Sequence, residues 1–242
     1  MAQPETLEEL LPPAVSIDLR QPLREYWLDR VRAHEQDHYA GAGLAKFPED
    51  LRVYEHLLWA DAPDTVIEIG ALDGGSALWF RDRLRTLACY GRIERYRVIT
   101  IDLDAECVRA SLSAADPAWE QTITVVEGDV RDDALSERVA RLLAPAARSL
   151  VIEDSGHTYE TTMAALRGFA RFVPPGGHLV VEDGCVDVEE MRASQHWPRG
   201  VQPAIEDWLA SAEGASFRVR RDLERYGLSC HPGGFLQRMP AS

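Results

Sequence analysis

The sequence predicts an α/β protein built on a doubly wound, mostly parallel, Rossmann-like sheet with an antiparallel edge at its C-terminal end. Five short apolar runs rich in β-branched residues, 65–69, 97–102, 122–127, 149–153 and 178–181, alternate with helix-compatible stretches at intervals of roughly thirty residues. These runs carry acids at or beside their C-terminal ends, where open parallel sheets bind ligands. A last helix pattern at 203–212 is followed by two strand-like segments, 217–221 and 227–238, which suit an antiparallel edge. There is no internal repeat and no low-complexity tract.

Composition narrows the class of partner. A chain of 242 residues with 45% hydrophobic content suits one globular domain, expected over 41–242, preceded by an extension over 1–40. A formal charge of −14 argues against nucleic acid or an anionic membrane surface, because both repel it at long range. No apolar stretch spans a bilayer and the start is polar, so a soluble cytoplasmic protein is expected. Cys89, Cys107, Cys185 and Cys230 are dispersed, which indicates neither a disulfide framework nor a zinc site. Among the 26 basic residues only Lys46 is lysine, read here as genomic base composition.

In chain order, residues 1–20 are acidic and broken by Pro4, Pro12 and Pro13, and are expected to form a loose arm or an oligomer contact. Residues 24–38 have the charge density of an exposed helix. The loop 39–50 is expected to be a connector, with a lid over the ligand as the alternative. A helix over 51–59 follows, with Leu51, Tyr54, Leu57 and Leu58 on one face.

The stretch 65–76 organises what comes next. An apolar run ends in Glu68 and Ile69, then breaks into Gly70, Gly74 and Gly75 before Ser76 and a helix over 77–87. Glycines there admit positive φ and let a ligand approach the backbone. The spacing is not that of a dinucleotide fingerprint. Glu68 can accept from an amine or hydroxyl but repels a pyrophosphate, which favours S-adenosylmethionine (SAM) over NAD. A turn that binds nothing is the alternative. The second run ends in Asp102, placed to accept from ribose hydroxyls, with Asp104 in reserve. The alternative is that Asp102 caps the helix beginning near residue 105. Gly128 and Asp129 follow the third run, where an acid can accept from an adenine amino group.

The fourth and fifth runs end in Glu153-Asp154 and Glu182-Asp183. Three carboxylates cannot share one crevice as free anions. Either their pKa values rise or a divalent cation neutralises them, and an all-oxygen set suits Mg²⁺ better than Zn²⁺. Asp154, Glu182 and Asp183 are therefore the candidate ligands; the alternative is that one or two cap helices, Asp154 above all. His157, three residues after Asp154, is placed to take a proton from a substrate hydroxyl.

Several motifs together resemble the cephalosporin hydroxylase / rhamnosyl O-methyltransferase family. They are the run 42–50 with Gly43, Lys46, Pro48 and Asp50, the glycine stretch, Asp154-Ser155-Gly156-His157, Val181-Glu182-Asp183, and a tail over 222–236 containing Pro232-Gly233-Gly234-Phe235. The resemblance covers about residues 40–238. It implies a class I SAM methyltransferase sheet, Mg²⁺ at the acids matching Asp154, Glu182 and Asp183, and His157 as general base. It also implies methyl ethers on antibiotic sugars or a hydroxylated β-lactam as products, and a homo-oligomer. The chain departs from common members at Gly156, where an acid often stands. A catechol-type O-methyltransferase and a silent subunit supporting a partner oxygenase are the competing functions.

Overall fold

The computed structural model describes residues 20–240. Its seven-stranded sheet comprises β1 (Thr65–Ile69), β2 (Arg97–Asp102), β3 (Ile123–Glu127), β4 (Ser149–Glu153), β5 (His178–Val181), β6 (Phe217–Val219) and β7 (Phe235–Arg238). The order across the sheet is β3-β2-β1-β4-β5-β7-β6. The first five strands are parallel, while β7 runs antiparallel to both β5 and β6, which is the expected C-terminal edge. The order reverses at β1, whose Ile69 lies opposite Ile101 of β2 and Glu153 of β4. That reversal opens a crevice beyond the strand ends.

Seven α-helices accompany the strands among the described residues: α1 (Leu23–His34), α2 (Pro48–Asp61), α3 (Gly75–Cys89), α4 (Ala105–Ala115), α5 (Asp133–Ala140), α6 (Tyr159–Phe169) and α7 (Val201–Ala210). Two apolar layers cover the sheet. Ile67, Ile69, Ile99, Ile101 and Val151 pack with α6, α7 and α1, whereas Val66, Val98, Leu150 and Ile152 pack with α2, α3 and α4. Successive side chains of a strand point to opposite faces, so Ile69 faces the first layer and Glu68 the second. Local chemistry sets the helix starts. Pro48 supplies a ready φ at the start of α2, Asp104 caps α4 by accepting from the Cys107 amide, and Thr158 and Thr161 close a capping box on α6.

The structure departs from the sequence expectations near the N-terminus. The helix expected over 24–38 stops at His34, because His38–Tyr39 pair with Ala42–Gly43 in a small hairpin. Within the expected extension, α1 sinks Trp27 and Val31 into the core of its own chain, and Trp27 Nε1 donates to the Met191 carbonyl at 2.5 Å. Residues 20–40 thus pack with the domain; residues 1–19, the remainder of the expected oligomer contact, lie outside the described residues. The 39–50 loop is not an outer lid. Leu44, Lys46 and Phe47 are buried in it, and only Ala45 reaches the crevice. No described helix is long and apolar enough to cross a membrane.

Candidate active site

A cavity of about 620 Å³ lies at the switch point, beyond the C-terminal ends of β1, β2, β3 and β4. Its floor is set by Gly70 (φ +99°), where a Cβ would lie 1.9 Å from the Asp154 carbonyl oxygen, so only glycine lets the two turns approach. Asp102 folds the next turn around itself: Oδ2 accepts from the Ala71 and Leu72 amides at 2.9 and 3.1 Å, and Oδ1 from the Asp104 amide at 2.9 Å. With Asp104 serving as the α4 cap, the carboxylate that faces the cavity is that of Asp102. Gly128 and Asp129 line the adjoining wall. The hydrogen bonds from Arg131 hold Asp129 down to a pKa of about 2, so this wall carries a fixed ion pair.

Four of the residues expected at the cofactor stand elsewhere. Glu68 is fully buried on the opposite face of β1, where Oε2 accepts from Thr100 Oγ1 at 2.7 Å. Burial raises its pKa. Gly75 lets α3 touch the hairpin, since its Cβ would meet the Gly43 carbonyl oxygen at 2.2 Å, and Gly74 accommodates Leu112 of α4. Ser76 is buried beside them. None of the four lines the cavity.

In the same cavity, Asp154, His157 and Asp183 each bring a ligand atom within 4.8 Å of the others. His157 Nε2 lies 3.3 Å from Asp183 Oδ2. The two carboxylates fit a hard divalent cation, since Mg²⁺ commonly takes one or two carboxylates and fills its other positions with water, which leaves the His157 imidazole free to act as a base. Glu182, expected as the third ligand, is turned away by strand alternation. Its two oxygens accept from Lys46 Nζ at 2.7 and 2.8 Å and from Tyr54 Oη at 2.5 Å. Lys46 Nζ also donates to Asp154 Oδ2 at 2.8 Å.

Lys46 thereby does part of the neutralising expected of a metal. Burial works against the Glu182 anion, yet Lys46, His231 and the Tyr54 hydroxyl outweigh it and leave the pKa lowered. Asp154 bears the remainder. Burial and the neighbouring Glu182 anion raise its pKa well above the ordinary value despite Lys46. A cation on the cavity side would reverse that shift. Sequence reasoning met Lys46 as the single lysine and within the resembling run 42–50, and gave Lys46, Tyr54 and His231 no chemistry.

The sheet order, with an antiparallel strand inserted at its edge, and the acid-lined crevice at its switch point define the methyltransferase class of doubly wound proteins. Residues 32–239 match the family described as Rhamnosyl O-methyltransferase/CmcI, and the chain belongs to it. It is 28% identical over 206 residues to the rhamnosyl O-methyltransferase of Mycobacterium tuberculosis strain H37Rv, covering 83% of this chain and 77% of that one. The Mycobacterium leprae enzyme of the same name is 27% identical over 202 residues, covering 83% and 82%. A solved structure of CmcI with Mg and SAM superposes with a TM-score of 0.58 at 22% identity, over 94% of this chain and 89% of that one.

Proposed function

We propose that the protein is a Mg²⁺-assisted, SAM-dependent O-methyltransferase acting on a hydroxyl of a small natural-product metabolite, a glycosyl group in particular. One observation carries the reading. A single cavity is lined both by Gly70, Asp102, Gly128 and Asp129 and by Asp154, His157 and Asp183. The names of the mycobacterial relatives and the SAM and Mg of the CmcI structure support it. The volume falls in the range of small-molecule sites. Asp102 Oδ2 is filled by two amides, whereas Oδ1 holds one and retains acceptor capacity for a ribose hydroxyl.

SAM would supply an electrophilic methyl group, and Mg²⁺, which Asp154 and Asp183 would hold, would lower the pKa of an adjacent hydroxyl. The protein's residues handle the proton. The His157 imidazole accepts it as the acceptor oxygen attacks, and Asp183, whose Oδ2 lies 3.3 Å from Nε2, stabilises the imidazolium that results. The new O–CH₃ bond forms as the S–CH₃ bond breaks, and S-adenosylhomocysteine leaves uncharged. Holding both reactants in one cavity supplies much of the rate.

The test is transfer of labelled methyl to a panel of glycosylated and catechol acceptors by the isolated protein, with and without chelator. Chelator-sensitive transfer to a glycoside supports the reading; a preference for catechols supports the catechol-type enzyme. No transfer at all, with SAM bound in calorimetry, supports the silent subunit. A homo-oligomer in the cytoplasm is part of the same proposal, and light scattering at the monomer mass of 27.0 kDa would contradict the oligomer.

A further inference from the structure

We propose that the chain carries a second, thiophilic metal site, formed by Asp183, Cys185 and Cys230, which takes Zn²⁺ and competes with Mg²⁺ because the two sites share Asp183. The three ligand atoms lie within 4.8 Å of one another. Both thiols are buried, yet both line the cavity, and the methyl-transfer chemistry uses neither. Their backbones are pinned together. The Cys185 amide donates to the Cys230 carbonyl at 3.0 Å, and the Cys230 amide donates to Asp50 Oδ2 at 2.9 Å. The Asp183 amide is likewise held, donating to His231 Nδ1 at 3.1 Å.

The donor set selects the ion. Two thiolates and one carboxylate are a zinc set, with Zn–S near 2.3 Å and Zn–O near 2.0–2.2 Å, and three protein ligands leave the fourth position of a tetrahedron open to the cavity. Tetrahedral bonds of those lengths separate ligand atoms by about 3.5–3.8 Å. The present separations, none above 4.8 Å, need to close by at most roughly 1 Å, within the reach of rotamer changes. Binding converts two thiols to thiolates and releases two protons to solvent. Asp183 is common to both sets, so zinc that draws its carboxylate toward the thiols weakens the hold of Asp154 and Asp183 on Mg²⁺. Motif spacing misses this site because the thiols come from segments far apart in sequence, one after β5 and one before β7.

The part of the inference that concerns Mg²⁺ rests on the proposed function; the thiolate site does not. The test is therefore made first without SAM, acceptor or Mg²⁺. Metal-free protein in a phosphine reductant is titrated with Cd²⁺ and Co²⁺, reading the sulfur-to-metal charge-transfer band in the ultraviolet. A band that saturates at a single equivalent in wild type, and is lost or weakened in Cys185→Ser and in Cys230→Ser, supports the site. No band, or one unchanged in both variants, overturns it. Far-UV circular dichroism checks folding, and Cys185→Ser alone decides if Cys230→Ser does not fold. Asp183→Asn should weaken binding by more than the 10–100-fold typical of losing an outer partner of a ligand. In a second measurement Mn²⁺ replaces Mg²⁺ and its free-ion paramagnetic resonance signal is followed. Zinc held at one equivalent, which the thiolates take first, should release Mn²⁺ from wild type and release less from Cys185→Ser. Bound Mn²⁺ that persists with zinc on the thiols would overturn the competition.

Discussion

His157 and Asp183 meet at the mouth of the cavity with Nε2 and Oδ2 3.3 Å apart, and both hold left-handed backbone, at φ +54° and +57°. Such conformations cost non-glycine residues about 1–3 kcal/mol each and persist where the surroundings over-determine them. Here they aim an imidazole and a carboxylate, from turns after different strands, at one point.

Replacing His157 with Ala should lower methyl transfer by about 10²–10⁴-fold, as loss of a positioned general base does, and the deficit should shrink as pH rises and hydroxide takes over. Because the backbone strain outlives the side chain in His157→Ala, His157→Gly should be about 1 kcal/mol the more stable of the two. Rate–pH profiles and paired thermal melts check these outcomes. An unchanged rate would remove His157 from the chemistry.

Lys46→Met should destabilise the fold by about 3–5 kcal/mol, because it leaves Glu182 buried with no cation and Asp154 with less compensation. The sign with pH follows. Without Lys46 the Glu182 carboxyl prefers its proton in the folded state, so the variant is least impaired at acid pH and loses stability as pH rises. Urea unfolding of both proteins at pH 5 and pH 8 measures the difference. A gap that is wider at pH 5 would contradict the assignment.

Glu153 is buried at the end of β4, and burial pushes its pKa up to about 8 from an ordinary value of 4.5. A raised carboxyl favours the folded state below pH 4.5, where folded and unfolded forms both hold the proton without penalty, and loses that advantage as pH climbs through 8. Glu153→Gln should therefore stabilise the protein by ~3 kcal/mol at pH 7, with the gain vanishing below about pH 4.5. Denaturant midpoints across that range decide it.

Gly70→Ala should cost well over 1 kcal/mol and weaken Mg²⁺ binding at the same time, since the new Cβ runs into the Asp154 carbonyl. Gly91 provides the control. It is also left-handed, at φ +67°, but a Cβ there meets nothing within 4 Å, so Gly91→Ala pays only the conformational cost of about 1–2 kcal/mol. Stability measured for both, with Mn²⁺ binding to each, separates contact from strain.

How much of this was legible depended on which physical rule governs each residue. The strands 97–102, 149–153 and 178–181 appear at their expected limits because buried parallel strands must be continuous apolar runs. The helix over 24–38 came out too long because charge density does not mark the hairpin that ends it. In the site, acids at strand ends were rightly sought near the crevice, but one position of strand phase separates Ile69 from Glu68 and Asp183 from Glu182. Only one member of each pair faces the cavity. Lys46 stood out as the single lysine and as part of the resembling run 42–50, but its contact was beyond reach, since its partner Glu182 lies 136 residues further along the chain and nothing local announces it.

That lysine has a practical corollary. A lysine-specific endoprotease has one bond to find in the whole chain, Lys46–Phe47, and both flanking side chains are shut inside the protein. Native protein is thus uncut until the floor of the crevice opens, and the rate of that single cleavage becomes a clock for the opening, readable from a gel without any substrate or label.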